Sequence, residues 1–133
     1  MKSFSLSVVF ILTLFTAGNV FSQDDPWSLI GENDKYKVFL NKDSIKNIGE
    51  SKTDYDIWIK LECKTECNDG YKSISYSIQN WNLFCERNEY NVPKFTDYYT
   101  DGDQSTFSND TPSAVMENSP GEKLFNYFCK KQE

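Results

Sequence analysis

Residues 55–63 read YDIWIKLEC, and their alternation decides the architecture. Tyr55, Ile57, Ile59, Leu61 and Cys63 share one parity, while Asp56, Trp58, Lys60 and Glu62 share the other. Successive side chains of a strand point to opposite faces, so this is an antiparallel strand with one face against a core. Upstream, YKVFLN places Tyr36, Val38 and Leu40 on one face in the same way. Downstream, YKSISYSIQNWNLFCERNEY begins with Ile74, Tyr76 and Ile78 on one face and resumes with Trp81, Leu83 and Cys85 on the opposite parity. A bulge at Gln79 and Asn80 reconciles the halves, because one extra residue restores the facing. Turn signals at Asn47 to Gly49, Asn68-Asp69-Gly70 and Asp101-Gly102 punctuate the strands.

The chain closes with a different pattern, SPGEKLFNYFCKK, from Ser119 to Lys131. Ser119 is an N-cap, Pro120 fits the first helical position, and Glu122 can return its carboxylate to the cap amide. Lys130 and Lys131 meet the negative end of the helix dipole. Leu124, Phe125, Phe128 and Cys129 form one apolar stripe ending in sulfur. Strands first and a helix last make the class α+β: an antiparallel β-sheet with a C-terminal α-helix packed on one face.

Where the chain resides determines what its sulfur does. MKSFSLSVVFILTLFTAGNVFSQDD has Lys2, an apolar run from Phe4 to about Ala17, then small residues and an acidic start, which is the form of a secretory signal peptide. The run contains Ser5, Ser7 and Thr13 and is shorter than the roughly 18 apolar residues of a membrane span. The expected division is therefore a signal peptide over 1–22 and a single domain over 23–133. Loss of those 22 residues from 133 leaves 111 with thirteen bases against twenty acids, a net charge of −7. Such a charge argues against nucleic acid and anionic membrane surfaces as partners, both being polyanions.

In an exported small domain, Cys63, Cys67, Cys85 and Cys129 read as two disulfides with three possible connectivities. Zinc is the weaker alternative, since C-x3-C comes with no histidine anywhere in the chain. If the helix lies across the sheet, Cys129 reaches Cys85, which is flanked by the apolar Leu83 and Phe84. Cys63 then pairs with Cys67 around the polar Lys64, Thr65 and Glu66. The crossed pairings would draw those charges into the helix contact. The long loop is worth about 4 kcal/mol by chain entropy and the short one about 2.

Without histidine, Ser-His and Cys-His nucleophilic sites are impossible. No short motif marks a carboxylate pair for glycoside hydrolysis, so no enzyme is expected and no cofactor is called for. Asp97, Asp101 and Asp103 in DYYTDGDQS invite a calcium reading but lack the ligand spacing of an EF-hand, and Asp101-Gly102 suits a hairpin turn better. Asn109-Asp110-Thr111 is a sequon in form and a polar loop in the simplest reading. In CERNEYNVPKF, Arg87, Tyr90 and Lys94 are the residue types that anchor partners, placed at a strand end and loop.

Several of these features together resemble the surface-adhesin protein E family of bacterial envelopes. They are W-x-x-I at Trp27 to Ile30, Tyr36 followed by Asp43-Ser44-Ile45, the aromatic strand around Trp58, Tyr71-x-Ser73 and C-x-R-x-x-Y from Cys85 to Tyr90. Tyr99 ahead of Asp101-Gly102 follows, and then S-x-G-E-x-L from Ser119 with Cys129 at its end. The resemblance implies a sheet with a C-terminal helix held by a disulfide, and a non-catalytic binding role toward extracellular-matrix or envelope proteins. No cysteine lies at the signal junction for lipidation, so periplasm, outer surface and secretion all remain open. An inhibitor of a secreted hydrolase is the second reading, with NVPKFTDYYTDGD as its protruding loop. N-terminal mass spectrometry of the exported protein is expected to find Gln23 first; retention of residues 1–22 would refute the signal-peptide reading.

Overall fold

The computed structural model describes residues 25–130. The segment read as a signal peptide and Lys131 lie outside the described residues. One antiparallel sheet holds β1 (Trp27–Glu32), β2 (Tyr36–Asn41), β4 (Asp54–Asn68), β5 (Ser73–Phe84), β6 (Glu89–Tyr99) and β7 (Gln104–Ser108), in that spatial order. The two-residue β3 (Lys46–Asn47) adds to β4, and β8 (Ser113–Ala114) adds to β6. Strands adjacent in space follow one another in the chain, so short turns suffice as connections. At two of those turns Gly70 and Gly102 stand at φ of 95° and 91°, backbone that residues with a Cβ avoid.

Register builds the inner face row by row. Tyr55 lies opposite Leu83, Ile57 opposite Trp81, Ile59 between Leu40 and Gln79, and Leu61 between Val38 and Ser77. Val38, Leu40, Ile57, Ile59 and Leu83 are completely buried. The parity read from YDIWIKLEC and YKVFLN is thus the parity of the core.

The bulge expected at Gln79 and Asn80 is a correction. From Tyr76 to Phe84, β5 pairs with β4 without interruption, so Tyr76 and Ile78 stay on the outer face. A shift does fall between Asn80 and Asn82 against β6, but the extra residue belongs to β6, near Val92 and Pro93. Ile74 reaches the inner face by a different device, at the other end of β5. There, residues 63–66 of β4 stand against Ser75 alone, between the pairs Glu62–Tyr76 and Cys67–Ile74. The Cys63–Cys67 disulfide, Cα to Cα 6.1 Å, closes that excursion. The polar stretch Lys64, Thr65 and Glu66 between the two cysteines is thus a bulge within one long strand.

Helix α1 (Pro120–Phe128) lies over the inner face. Ser119 Oγ accepts the Glu122 amide at 3.2 Å. The Glu122 carboxylate accepts Asn118 N–H at 2.6 Å, one residue before the expected cap amide, because Asn118 is left-handed at φ 56°. Starting a helix costs about 4 kcal/mol. Burying Leu124, Phe125 and Phe128 returns about 2 kcal/mol each, which is enough only while the sheet is beneath them. Gly121 allows the approach: a Cβ there would stand 3.2 Å from the Tyr90 ring and 3.6 Å from that of Trp81.

Cys129 caps the helix and bonds to Cys85, with Cα atoms 5.4 Å apart, which is the pairing argued from the stripe. Cys129→Ser is expected to lower unfolding free energy by about 4 kcal/mol in urea titration, and the Cys63→Ser, Cys67→Ser double variant by about 2 kcal/mol or less. A larger loss from the short loop would overturn the assignment of the helix tie as the main staple.

Candidate functional site

With the helix occupying the inner face, the outer face of the sheet is the broad surface left to meet a partner. Its rows follow from the same register. One crosses from Phe39 through Lys60, Ile78 and Thr96 to Thr106. The next carries Trp58, Asn80, Lys94 and Ser108, and another carries Lys37, Glu62, Tyr76, Tyr98 and Gln104. Trp27 and Leu29 extend the surface across β1, with Leu29 54% exposed. The aromatic members Phe39, Trp58, Tyr76 and Tyr98 are half-buried.

Each is held in place. The Lys60 ammonium sits 4.7 Å from the Phe39 ring centre and 5.7 Å from that of Trp27, which keeps the cation on the face. Tyr76 and Tyr98 stack at 4.6 Å with 14° between their planes. Asn80 donates to the Asp56 carboxylate at 2.5 Å and to the Ile57 carbonyl at 3.2 Å. Past the end of β2, Ser44 Oγ accepts the Trp58 amide at 2.9 Å and donates to the Asn41 carbonyl at 2.7 Å, so the turn at Lys42–Ser44 fixes the strand that bears the indole. Lys37, Lys60 and Lys94 are interspersed with Glu32, Asp56 and Glu62 across this face, three of each sign on a chain of net charge −6.

The three residues singled out from CERNEYNVPKF do not share a surface. Arg87 lies in the short turn Cys85–Arg87, its guanidinium 4.2 Å from the Phe84 ring centre and 3.8 Å from Glu89. Tyr90 turns inward, stacks on Trp81 at 4.3 Å and supports the first turn of α1. Lys94 alone stands on the outer face, opposite Asn80 and Ser108. NVPKFTDYYTDGD, read as a protruding loop, is mostly strand β6 followed by a tight turn; that expectation is corrected. Alternation already placed Trp58 opposite the core. What went unread was that Phe39, Ile78, Tyr76 and Tyr98 join it.

The acidic turn is occupied from within the chain. Lys72 pairs with Asp101 at 3.1 Å and with Asp103, and this drives its ammonium pKa well above the usual value. Amides of Lys72 and Tyr71 and the Tyr99 hydroxyl all donate to Asp69, holding its carboxyl below the ordinary 3.8. The Asp103 amide, followed by Lys72, does the same for Asp101.

A family model described as surface-adhesin protein E matches residues 27–130. No curated protein and no solved structure matches the chain. Among the described residues, no helix is long and apolar enough to cross a membrane.

Carboxyls depressed in the folded state contribute stability that is present above their unfolded pKa and lost as pH falls through the folded one. The turns around Asp69 and Asp101 are therefore expected to hold to about pH 4 and loosen below it. Amide exchange at Tyr71, Lys72 and Asp103 across an acid titration reads this directly. Asp69→Asn should remove most of the step at Tyr71 and Lys72; an unchanged step would refute the assignment.

Proposed function

The chain belongs to the surface-adhesin protein E family, and on that premise we propose that it is an exported, non-catalytic binding module, acting in the envelope or outside the cell through a protein partner. The observation that carries this reading is the outer sheet face. Its aromatic side chains are braced yet only half-buried, and lysines stand among them. Tyr and Trp side chains on a rigid backbone lose little freedom on contact, which is why such residues anchor interfaces, and the lysines add charge that steers a partner. Helix α1 and its disulfide brace the sheet behind them.

Trp58, Tyr98 and Lys94 are the anchors of this proposal. Arg87, exposed at the neighbouring turn, is a further contact, and Tyr90 serves by holding Trp81 and the helix. The mixed lysines and carboxylates of the face suit a partner that presents both signs of charge, as an extracellular-matrix protein or another envelope protein can.

The test is capture by the immobilised domain from two sources, an envelope extract and a set of extracellular-matrix proteins. Trp58→Ala, Tyr98→Ala and Lys94→Ala combined should weaken capture at least tenfold while the melting temperature stays within a few degrees. Capture that survives this substitution in a folded protein would overturn the outer-face reading. Capture from one source alone would assign the partner class.

A further inference from the structure

Helix α1 leaves one end of the inner face bare, and a cleft of about 190 Å³ opens there. Its apolar walls are Tyr36, Leu61, Ile74 and Phe95, and the Cys63–Cys67 bridge forms its rim. Its floor is polar, made by Ser77, Gln79 and Asp97. Ser77 and Asp97 face each other across β5 and β6, and Gln79 faces Phe95 in the next inner row.

Asp97 is only 9% exposed and lines this space, yet among the described residues its carboxylate has no ion pair or hydrogen bond. The neighbouring Tyr99 hydroxyl donates elsewhere, to Asp69 at 2.9 Å. The Asp97 oxygens keep their contact with water through the cleft, so an occupant that displaces this water must bring a cation or strong donors against the carboxylate. The side chains beside it keep acceptor capacity as well as a donor hydrogen each, on Gln79 Nε2 and Ser77 Oγ. Trp81 Nε1 donates to Gln79 Oε1 at 2.8 Å, and Gln79 Nε2 donates to Ser77 Oγ at 3.0 Å. This directed chain leaves one lone pair on Gln79 Oε1 and one on Ser77 Oγ.

We propose that this cleft is a binding site for a primary alkylammonium group, either a free amine or a lysine side chain. An ammonium has three N–H donors, and Asp97, Ser77 Oγ and Gln79 Oε1 are three acceptors on one floor. Phe95, one face of which stacks on Phe107 at 4.9 Å, and Tyr36, with the Lys35 ammonium 5.3 Å from its ring centre, stand in the lining, and Ile74 and Leu61 receive the methylene stem. At about 190 Å³ the space is below the roughly 300–1,000 Å³ of ordinary small-molecule pockets, so it takes a side chain or a small amine. The site is on the opposite face from the proposed protein-binding surface and stands or falls independently of it.

The test titrates the disulfide-bonded protein with n-butylammonium, with N-acetyl-lysine-N-methylamide and with n-butanol as the neutral control, following amide shifts in the Ser77, Gln79 and Phe95 segments. Saturable shifts with either ammonium, absent with butanol and weakened at least tenfold by Asp97→Asn, are the expected result. Tighter binding of the lysine compound assigns the site to a partner's lysine; tighter binding of butylammonium assigns it to a free amine. No saturable shift, an equal response to butanol, or full binding by Asp97→Asn would overturn the proposal. So would a sharp fall in the melting temperature of Asp97→Asn, since that would mean the carboxylate is satisfied within the fold.

Discussion

A nine-residue helix cannot persist alone in water, and this one persists because three apolar side chains and a sulfur bond hold it against the sheet. The constraint acts in both directions. The inner face needs a cover for Leu40, Ile57 and Leu83, and the helix needs that face to exist. Covalent closure between Cys85 and Cys129 removes much of the unfolded chain's freedom to separate the two. The stacked pair of Trp81 and Tyr90 then sets how closely the first turn approaches, with Gly121 as the point of contact.

Covering one face with a short element has two consequences for binding. The outer face is left whole across six strands, broad enough for a protein and braced by its own cross-strand pairs. The inner face is covered only in part, because nine residues cannot reach its far end, and the bare end becomes a cleft with a charged floor. The second disulfide stands at that end. By closing a bulge in β4, it returns Cys67 to the inner face and lets Ile74 form a wall. A broad surface and a narrow cleft thus come from one deficit of helix length.

Much of this was legible in residue order. Period-two alternation gave β2 and the first part of β4 their inward residues, and the capped stripe from Ser119 gave the helix and its disulfide partner. Hydrophobicity alone puts Tyr76 and Ile78 with the core, but on a two-sided sheet parity outranks hydrophobicity, and these residues belong with Trp58. The real irregularity near them carried a different signal, Pro93, which lacks the N–H of a regular ladder and falls where β6 gains a residue. Asp97 has the parity of Phe95 and Tyr99, so its inward placement was readable in principle. Its isolation from cations was not, since that depends on which turns Lys72 and its carboxylate partners occupy. Arg87, Tyr90 and Lys94 are close in sequence, but the turn and the bulge between them send each in a different direction.

Closure at Cys85 also decides how the domain bears tension. A pull applied across the described residues enters at β1, follows the chain to the end of β5 and crosses through sulfur to Cys129, 44 positions further on. Strands β6 and β7 and the body of α1 lie off that load path and cannot be drawn out while the bond is intact. Trp58, on β4, is on the extensible side, whereas Lys94 and Tyr98, on β6, belong to the locked loop. A contact gripping both sides of the outer face would retain its β6 half after the other began to yield.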